Sequence, residues 1–365
     1  MSYHIFVINP GSTSTKLAYF EGEKKLFETN VFHDAPLLLG FDSVNDQLAY
    51  RMEVILQFLE QNNVDLSGID AIVGRGGACC PISGGVYEIT DLLVEHTRDH
   101  IGGVEHPANL GVQLARKLQE VYGGRAFMVD APVTDEFEDV ARVTGLDGVY
   151  RLSHLHALNL KGTIRKHCEL QGVRYEDGNY IVCHIDGGMS VSAHRKGRMI
   201  DGNDNAGGDG PFTPTRTGSV AAAEFYRYAE GKDPKEVRKV FTRAGGFVSH
   251  FGTSNSDKVH EMVEAGDPKA VRVWNAMIYN ICKEIGAMST VLGGEVDGIV
   301  LGGGLLRFDD LVQEIRRRCE WIAPVWVYPG EVEHEAMAAG ALRVLRGEEK
   351  PKIYSGEPVW RGFEE

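Results

Sequence analysis

Two distant segments of the chain share one pattern, an apolar run that ends in a glycine turn and continues into hydroxyl residues. Residues 5–16 read IFVINPGSTSTK and residues 181–192 read IVCHIDGGMSVS, with Gly11 and Gly187 at the same offset. The pattern predicts a strand, a glycine turn and a second strand in each half of the chain, and therefore two related domains. A chance resemblance of two glycine turns is the alternative.

The length and the charge of the chain limit what kind of protein it is. At 365 residues it exceeds the size at which one hydrophobic core stops growing, which also favours two domains. Its 38 basic and 52 acidic residues give a net charge of −14. Because such a chain offers no positive field for nucleic acid or for acidic membranes, we expect neither as a partner.

The apolar segments and the cysteines indicate the compartment. No stretch approaches the roughly twenty apolar residues of a membrane span, and the run HIFVI near the N-terminus is too short for the core of a signal peptide. The six cysteines show no CxxC spacing, so we expect reduced thiols. A cytoplasmic protein is the expectation.

Short apolar runs alternate with helical patterns along the chain. Strands are predicted at residues 3–8, 16–20, 70–73, 127–129, 296–301 and 325–328, and helices at about 268–292 and 333–345. The first of these helices has clear start signals in Asp267 and Pro268 and ends before Gly293. The alternation predicts an α/β fold. We place one domain at 1–150, with a C-terminal helix at about 331–365 packing back on it, and the second at 151–330.

The glycine turn after the first strand is of an uncommon kind. Gly11 leads to Lys16 without a second glycine, and the turn joins two strands. A Walker A loop would instead run from a strand into a helix with the pattern GxxxxGK[ST]. No GxGxxG opens a helix anywhere in the chain, so a Rossmann fingerprint is also absent. The turn is therefore a candidate phosphate loop outside both common nucleotide folds.

The segment NPGSTSTK resembles the first phosphate loop of the acetate and butyrate kinases, whose superfamily includes sugar kinases, actin and the heat-shock chaperone ATPases. Further segments occur in the order that this family shows: RGG at 75–77, EHPANLG at 105–111, VD at 129–130, DEFEDVAR at 135–142, HALN at 156–159, DGPFTP at 209–214, RTG at 216–218, GTS at 252–254, GGG at 302–304 and ALRVLRGEEK at 341–350. NPGSTSTK, DGPFTP and the LRGEEKP ending resemble the butyrate kinase branch. The resemblance implies two actin-like ribonuclease H-type domains with ATP in the cleft between them.

The resemblance also implies catalytic residues. Arg216 matches the arginine that the family places on the transferring phosphoryl group, and an arginine fork suits both carboxylate and phosphoryl oxygens. His156 matches a histidine that contacts the same group, and Arg75 is the candidate for binding the substrate carboxylate. A surface salt bridge for Arg216, a turn-forming role for Arg75 and a satisfied histidine at 156 are the alternatives.

Magnesium and the phosphates have candidate ligands of their own. Asp130 matches the family's metal-organising aspartate, Glu333 matches its C-terminal glutamate with Glu335 close by, and Asn9 belongs to the same group; helix caps or exposed charges are the alternative readings of the acids. Residues expected to hold ATP or its phosphates are Asn9, Ser12, Ser14, Lys16, His184, Gly187, Gly188, Gly302, Gly303 and Gly304. Asp186 stands where relatives favour glycine, and its charge should weaken nucleotide binding unless it faces away or touches the metal.

The expected function is a short-chain fatty acid kinase that converts ATP and butanoate, or a similar carboxylate, reversibly to ADP and an acyl phosphate with Mg²⁺. Acetate or propionate kinase is the alternative within the family. A kinase acting on a hydroxyl group and an ATP-driven switch without acyl kinase activity are the alternatives outside it. The family resemblance suggests a homodimer or a larger assembly. The preferred acid stays open, because one buried CH₂ changes binding by only ~0.8 kcal/mol.

Overall fold

The computed structural model describes residues 2–102 and 105–363 and separates the chain into two compact units. The first unit contains Met1–Asp135 and Val332–Glu365, and the second contains Glu136–Glu331. The described residues form eleven strands: β1 His4–Pro10, β2 Ser14–Glu21, β3 Lys24–Phe32, β4 Ala71–Gly74, β5 Val86–Glu88, β6 Arg125–Val129, β7 Asn179–Ile185, β8 Met189–Arg195, β9 Arg198–Gly202, β10 Gly298–Gly303 and β11 Val325–Pro329.

The described residues also form thirteen α-helices: α1 Ala35–Leu39, α2 Gln47–Gln61, α3 Asp91–Arg98, α4 Leu110–Tyr122, α5 Asp139–Arg142, α6 Ala157–Gln171, α7 Ala222–Ala229, α8 Pro234–Lys239, α9 Gly246–Phe251, α10 Ser256–Glu264, α11 Pro268–Val291, α12 Asp309–Cys319 and α13 Glu333–Leu345. Short 3₁₀ turns occur at Pro107–Asn109, Tyr175–Asp177 and Gly304–Arg307. Within the described ranges, no helix combines the length and the apolar composition that crossing a membrane requires.

The first unit is built on a six-stranded sheet with the order β3-β2-β1-β4-β6-β5. Strands β1 to β3 are antiparallel, β4 and β6 run parallel to β1, and β5 is antiparallel to β6. Neighbouring residues of β6 face opposite sides of the sheet, so Met128 packs in the core beside α4 while Val129 lies against Gly340 of α13. Helices α4 and α13 therefore cover the two faces of this sheet.

The second unit repeats the arrangement on a five-stranded sheet with the order β11-β10-β7-β8-β9. Strands β7 to β9 are antiparallel, and β10 and β11 run parallel to β7. Ile181 and Cys183 of β7 face the core beside α11, and Tyr180 and Val182 face the core beside α6. Each unit is thus a sheet between helices, as the α/β pattern predicts.

The internal repeat is confirmed by the topology of the two sheets. The order β3-β2-β1-β4-β6 corresponds strand for strand, in position and direction, to β9-β8-β7-β10-β11. The two matching segments are the strand pairs β1-β2 and β7-β8, each joined by its glycine turn. A chance resemblance does not account for this agreement.

Local start signals located the long helix α11 well. The carboxylate of Asp267 caps α11 by accepting from the N–H of Ala270 at 2.8 Å. Helix α13 covers Glu333–Leu345, as the helical pattern predicts, and does not extend over 331–365 as the predicted domain division has it. Gly347, two residues after the helix ends, has a φ of +77°, which is outside the helical range. The structure divides the chain at Asp135 and Glu136, where the sequence analysis uses residue 150. Glu136 is held in the second unit by a buried ion pair with Lys161 at 2.9 Å.

Candidate active site

The first glycine turn, residues 11–14, closes on itself and presents two hydroxyl residues outward. The N–H of Gly11 donates to the carbonyl of Ser14 at 2.7 Å, which makes a tight turn between β1 and β2. Ser12 and Thr13 are exposed at its tip, whereas Ser14 is buried as the first residue of β2. Lys16 lies half-buried two residues further along β2. The turn can thus offer the Ser12 hydroxyl to an anion.

A buried arginine that the sequence analysis missed holds this turn from below. Arg51 of α2 is 0% exposed, and its Nη2 donates to the carbonyl of Gly11 at 2.9 Å. Its Nη1 donates to the carbonyl of Ser14 at 3.1 Å and to the Thr15 hydroxyl at 3.0 Å. No short motif marks Arg51, because the turn and the helix are separated by a long stretch of chain.

Three of the expected site residues of the first unit form one cluster. Nη1 of Arg75, just after β4, is 2.6 Å from Oε1 of Glu333, and Nδ2 of Asn9 donates to Oε2 of the same carboxylate at 2.7 Å. Burial raises the pKa of Glu333, but the Arg75 charge, the hydrogen bonds from Arg75 and Asn9, and the nearby Lys16 charge together lower it to about 2. Glu333 is therefore an anion at neutral pH, with both oxygens engaged.

The structure also separates the two neighbouring glutamates. Glu335 is on the surface, where its carboxylate pairs with Lys25 at 2.8 Å. Glu333 faces inward with Asn9 and Arg75. Of the two, Glu333 is the one that lies among the expected site residues.

Asp130 lies just beyond the end of β6 in an unusual backbone conformation. Its φ is +37°, and it is buried. Its Oδ1 accepts from the N–H of Gly85 at 2.7 Å, while its own N–H donates to the Gly85 carbonyl at 3.0 Å. A positive φ is a strained backbone conformation for a residue with a side chain, and buried residues held in such conformations cluster at functional sites.

In the second unit, Arg216 and His156 are linked through an asparagine that the sequence analysis did not single out. Nη1 of Arg216 donates to the side-chain oxygen of Asn205 and, at 3.1 Å, to its carbonyl. Nδ2 of Asn205 lies 3.5 Å from Nε2 of His156. Within the described chain, Nε of Arg216 is buried and has no hydrogen-bond partner. A buried donor without a partner is unusual in a folded protein, which marks this guanidinium as a candidate binding group.

The second glycine turn, residues 186–188, lies against the same pair of side chains. A Cβ atom on Gly188 would lie 2.9 Å from Nη1 of Arg216 and 2.9 Å from Cε1 of His156, so any larger residue here would displace one of these two side chains. The Gly187 carbonyl accepts from the hydroxyls of Thr213 at 2.7 Å and Thr215 at 3.0 Å. These contacts fix the loop that carries Arg216 beside the turn.

Two histidines meet beside this turn. The His156 and His184 rings lie 4.6 Å apart between centroids, and Nδ1 of His156 is 2.9 Å from the Ser190 hydroxyl. His184 is buried on β7, with Nδ2 of Asn159 3.3 Å from its Nδ1. Arg216 and His156 thus lie against Gly188, and His184 lies beside the His156 ring.

Asp186 joins the second glycine turn to the glycine run after β10. Its carboxylate accepts from the N–H of Gly187 at 2.7 Å and from the N–H of Gly304 at 2.8 Å. Gly302 and Gly303 are the last residues of β10, and Gly304 begins the following 3₁₀ turn. Asp186 therefore faces the glycine run and uses N–H groups that the sequence analysis assigned to ATP.

The candidate ligands could hold Mg²⁺ through one or two protein oxygens, which is the number that proteins usually supply to this ion. Among the residues that the structure describes, no three histidine, cysteine or acidic side chains come together as a metal-binding group. Mg²⁺ normally keeps several waters and takes one or two carboxylates plus phosphate oxygens. Asp130 can supply such a carboxylate and Asn9 an amide oxygen. Glu333 is already neutralised by Arg75.

Comparisons with known proteins agree with this architecture. Residues 153–318 match the model of the Acetokinase family. An acetate kinase from Porphyromonas gingivalis superposes with a TM-score of 0.77 at 20% identity, covering 94% of this chain and 100% of that one.

Two further solved structures are similar. An acetate kinase from Entamoeba histolytica gives a TM-score of 0.73 at 15% identity, covering 92% of this chain and 98% of that one. A propionate kinase from Francisella tularensis subsp. tularensis SCHU S4 gives 0.72 at 16% identity, covering 93% and 98%. Residues 153–318 are therefore similar to the Acetokinase family, and the chain as a whole has the two-domain α/β fold of the acetate and propionate kinases.

Proposed function

We propose that this protein is a short-chain fatty acid kinase that transfers the γ-phosphoryl group of ATP to butanoate or a similar carboxylate and forms an acyl phosphate. The observation that carries the proposal is the grouping of Arg216 and His156 around Gly188, with Nε of the guanidinium buried and unpartnered in the described chain. The acetokinase-family match of residues 153–318 agrees with it.

A carboxylate acceptor suits a site that is built from cations. A carboxylic acid with a pKa near ~4 to 5 is already ionised at neutral pH, so its oxygen attacks phosphorus without a general base. Its difficulty is repulsion from the triphosphate, since two unit charges ~4 Å apart cost ~4 kcal/mol at an effective dielectric constant of 20. Arg216 reduces this repulsion at the transferring oxygens, and His156 adds a ring nitrogen on the same side of Gly188.

The other expected residues divide into two further roles in the proposal. Ser12, Ser14 and Lys16 of the first unit, and Gly187 and Gly188 of the second, hold phosphate oxygens of ATP or of the acyl phosphate. Arg75 binds the substrate carboxylate with the guanidinium nitrogen that Glu333 does not engage. Asp130 and Asn9 would hold Mg²⁺, which when bound supplies positive charge to the phosphate oxygens.

Butanoate is proposed ahead of acetate and propionate because the segments NPGSTSTK, DGPFTP and LRGEEKP resemble the butyrate kinase branch. The solved structures that superpose include two acetate kinases and a propionate kinase, so acetate and propionate are the first competitors. The same proposal includes a cytoplasmic location and assembly into a homodimer or a larger homo-oligomer.

A panel of acceptors tests the proposal. The purified protein is incubated with ATP, Mg²⁺ and butanoate, isobutanoate, propionate, acetate or a hexose, and acyl phosphate is trapped with hydroxylamine while ADP is measured. We expect acyl hydroxamate with the short acids and the highest kcat/KM with a four-carbon acid. Turnover of the hexose alone would support a hydroxyl kinase, and tight ATP binding without turnover of any acceptor would support a nucleotide-driven switch.

A further inference from the structure

The buried guanidinium of Arg51 has a complete set of hydrogen bonds and no ionic partner. Besides its three bonds to the first glycine turn and Thr15, its Nε and Nη2 donate to Oε1 of Gln47 at 3.1 and 3.0 Å. Each acceptor is a carbonyl, a hydroxyl or an amide, and no carboxylate of the described chain pairs with it. A charge that is removed from water without a counter-ion is costly, so its presence at this place needs a reason.

The neighbouring groups respond to this charge. Burial lowers the pKa of Arg51 to about 10, and it remains a cation at neutral pH. The pKa of His33, which hydrogen bonds to Thr15, is lowered to about 4 by burial and then by the Arg51 charge. The pKa of His106 is lowered by burial, by Arg75 and by Arg51. Both imidazoles are therefore neutral, and neither adds to nor offsets the field of Arg51.

Arg51 and Arg75 of the first unit differ in how their charges are balanced. Arg75 is matched by the carboxylate of Glu333 at 2.6 Å. Arg51 contacts the inner side of a turn whose outer side shows Ser12 and Thr13 to solvent. The positive charge of Arg51 thus lies directly behind the turn on whose outer side an anion would bind.

We infer that Arg51 is a positioning residue of the first glycine turn, and that its uncompensated charge recruits a phosphoryl group to Ser12 as the missing counter-ion. The inference rests on the proposed function only for the identity of the anion. It assigns the turn two separate requirements, a fixed backbone path and a positive charge beneath it. Arg51 acts on the anion through the turn, without touching it.

A substitution at Gln47 can balance the charge of Arg51 while the arginine stays in place. Gln47→Glu keeps an oxygen acceptor at the place where Nε and Nη2 already donate, and it adds the carboxylate that Arg51 lacks. The turn keeps its contacts, but the charge beneath it is balanced. Gln57→Glu is the matched control, because Gln57 lies on the same helix, is exposed and makes its side-chain bond to Glu53.

The experiment measures binding of inorganic phosphate by calorimetry and by the phosphate-induced rise in Tm. The new carboxylate balances the charge of Arg51 and repels phosphate, and in a partly buried site such charge interactions are worth more than in water. We therefore expect about tenfold weaker phosphate binding in Gln47→Glu. The Gln57→Glu variant should stay within about twofold of the wild type. A second readout is NMR titration of His33, whose pKa should rise in Gln47→Glu, because the lowering effect of Arg51 is cancelled there.

A second variant separates charge from geometry if Gln47→Glu does not fold. Thr15→Val removes the β2 hydroxyl to which Arg51 donates and leaves the charge of Arg51 unchanged. We expect its phosphate affinity to stay within about twofold of the wild type. Unchanged phosphate binding in Gln47→Glu, or a loss in Thr15→Val that equals the loss expected for Gln47→Glu, would overturn the inference. So would a wild-type protein that phosphate does not stabilise. Because no carboxylic acid is present, the outcome is independent of whether the protein turns one over.

Discussion

The guanidinium of Arg75 and the carboxylate of Glu333, which come from distant parts of the chain, lie 2.6 Å apart. Asn9 binds the second oxygen of the same carboxylate at 2.7 Å. The first residue of α13 is thereby fixed to Asn9 near the end of β1 and to Arg75, which directly follows β4. This relationship ties the C-terminal helix to the first unit and gives Glu333 a depressed pKa.

The first prediction concerns the stability that this ion pair contributes. The pKa of Glu333 falls from 4.5 to about 2 in the folded protein, so the contribution is fully present above pH 4.5 and is lost as the pH falls towards 2. Glu333→Gln should lower the free energy of unfolding by about 2–3 kcal/mol at pH 7, and by much less near pH 2. Urea unfolding at both pH values measures this. An equal difference at the two values would show that the pair is not the cause.

The second prediction concerns the fork of Arg216. Arg216→Lys keeps one positive charge but loses the planar set of donors, so we expect kcat for acyl phosphate formation to fall by about a hundredfold or more. Arg195→Lys is the control, because Arg195 lies in the same unit and pairs with Glu138 at 2.7 Å. Its kcat should stay within about twofold of the wild type. Similar losses in the two variants would remove Arg216 from its proposed role.

The third prediction concerns Asn205 as the link between Arg216 and His156. Asn205→Ala should lower kcat by about tenfold with little change in KM for ATP, because the two side chains lose their common partner. If the link acts through Arg216, combining Asn205→Ala with Arg216→Lys should lower kcat by less than the product of the two separate losses. Steady-state kinetics of the four proteins decides this. Strictly multiplicative losses would mean that Asn205 does not act through the arginine.

The fourth prediction concerns the charge of Asp186. Asp186→Asn keeps one acceptor for the N–H groups of Gly187 and Gly304 and removes a negative charge beside the second glycine turn. We expect binding of MgATP to become about threefold tighter, since like charges repel. Isothermal titration calorimetry measures the change. Weaker binding in this variant would show that Asp186 supports nucleotide binding, either through its hydrogen bonds to Gly187 and Gly304 or through the metal.

Local sequence signals predicted elements whose limits are set locally. Asp267 and Pro268 located the start of α11, and Glu333 to Leu345 was predicted for α13 as observed. The prediction for β10 was wrong at both ends, since the strand covers Gly298–Gly303 instead of 296–301. Gly302 and Gly303 stay in the ladder, opposite His184 of β7 and Pro329 of β11. A Cβ on Gly303 would lie 2.3 Å from the Ile185 carbonyl, so this close approach explains why the position is glycine. Pairing with neighbouring strands, which the local sequence does not show, sets the end of β10.

The residues of the candidate site also divide into those that local motifs mark and those that only tertiary contacts reveal. The glycine turns and Arg216 carry short motifs, so the sequence indicated them. Arg51 and Asn205 act by holding other residues, and nothing near them in the chain marks that role. Their contacts depend on the approach of α2 to the first glycine turn and of the Asn205 loop to Arg216. Only the folded arrangement identifies such residues.

The most direct test of the proposed reaction follows the oxygen atoms of the acid. Butanoate labelled with heavy oxygen in its carboxylate is incubated with ATP, Mg²⁺ and the protein, and the product is cleaved with hydroxylamine at its acyl carbon. If the carboxylate oxygen attacks the γ-phosphorus, the released phosphate carries one labelled oxygen. Phosphate without label, or ADP formation with no acyl hydroxamate, would contradict a carboxylate kinase.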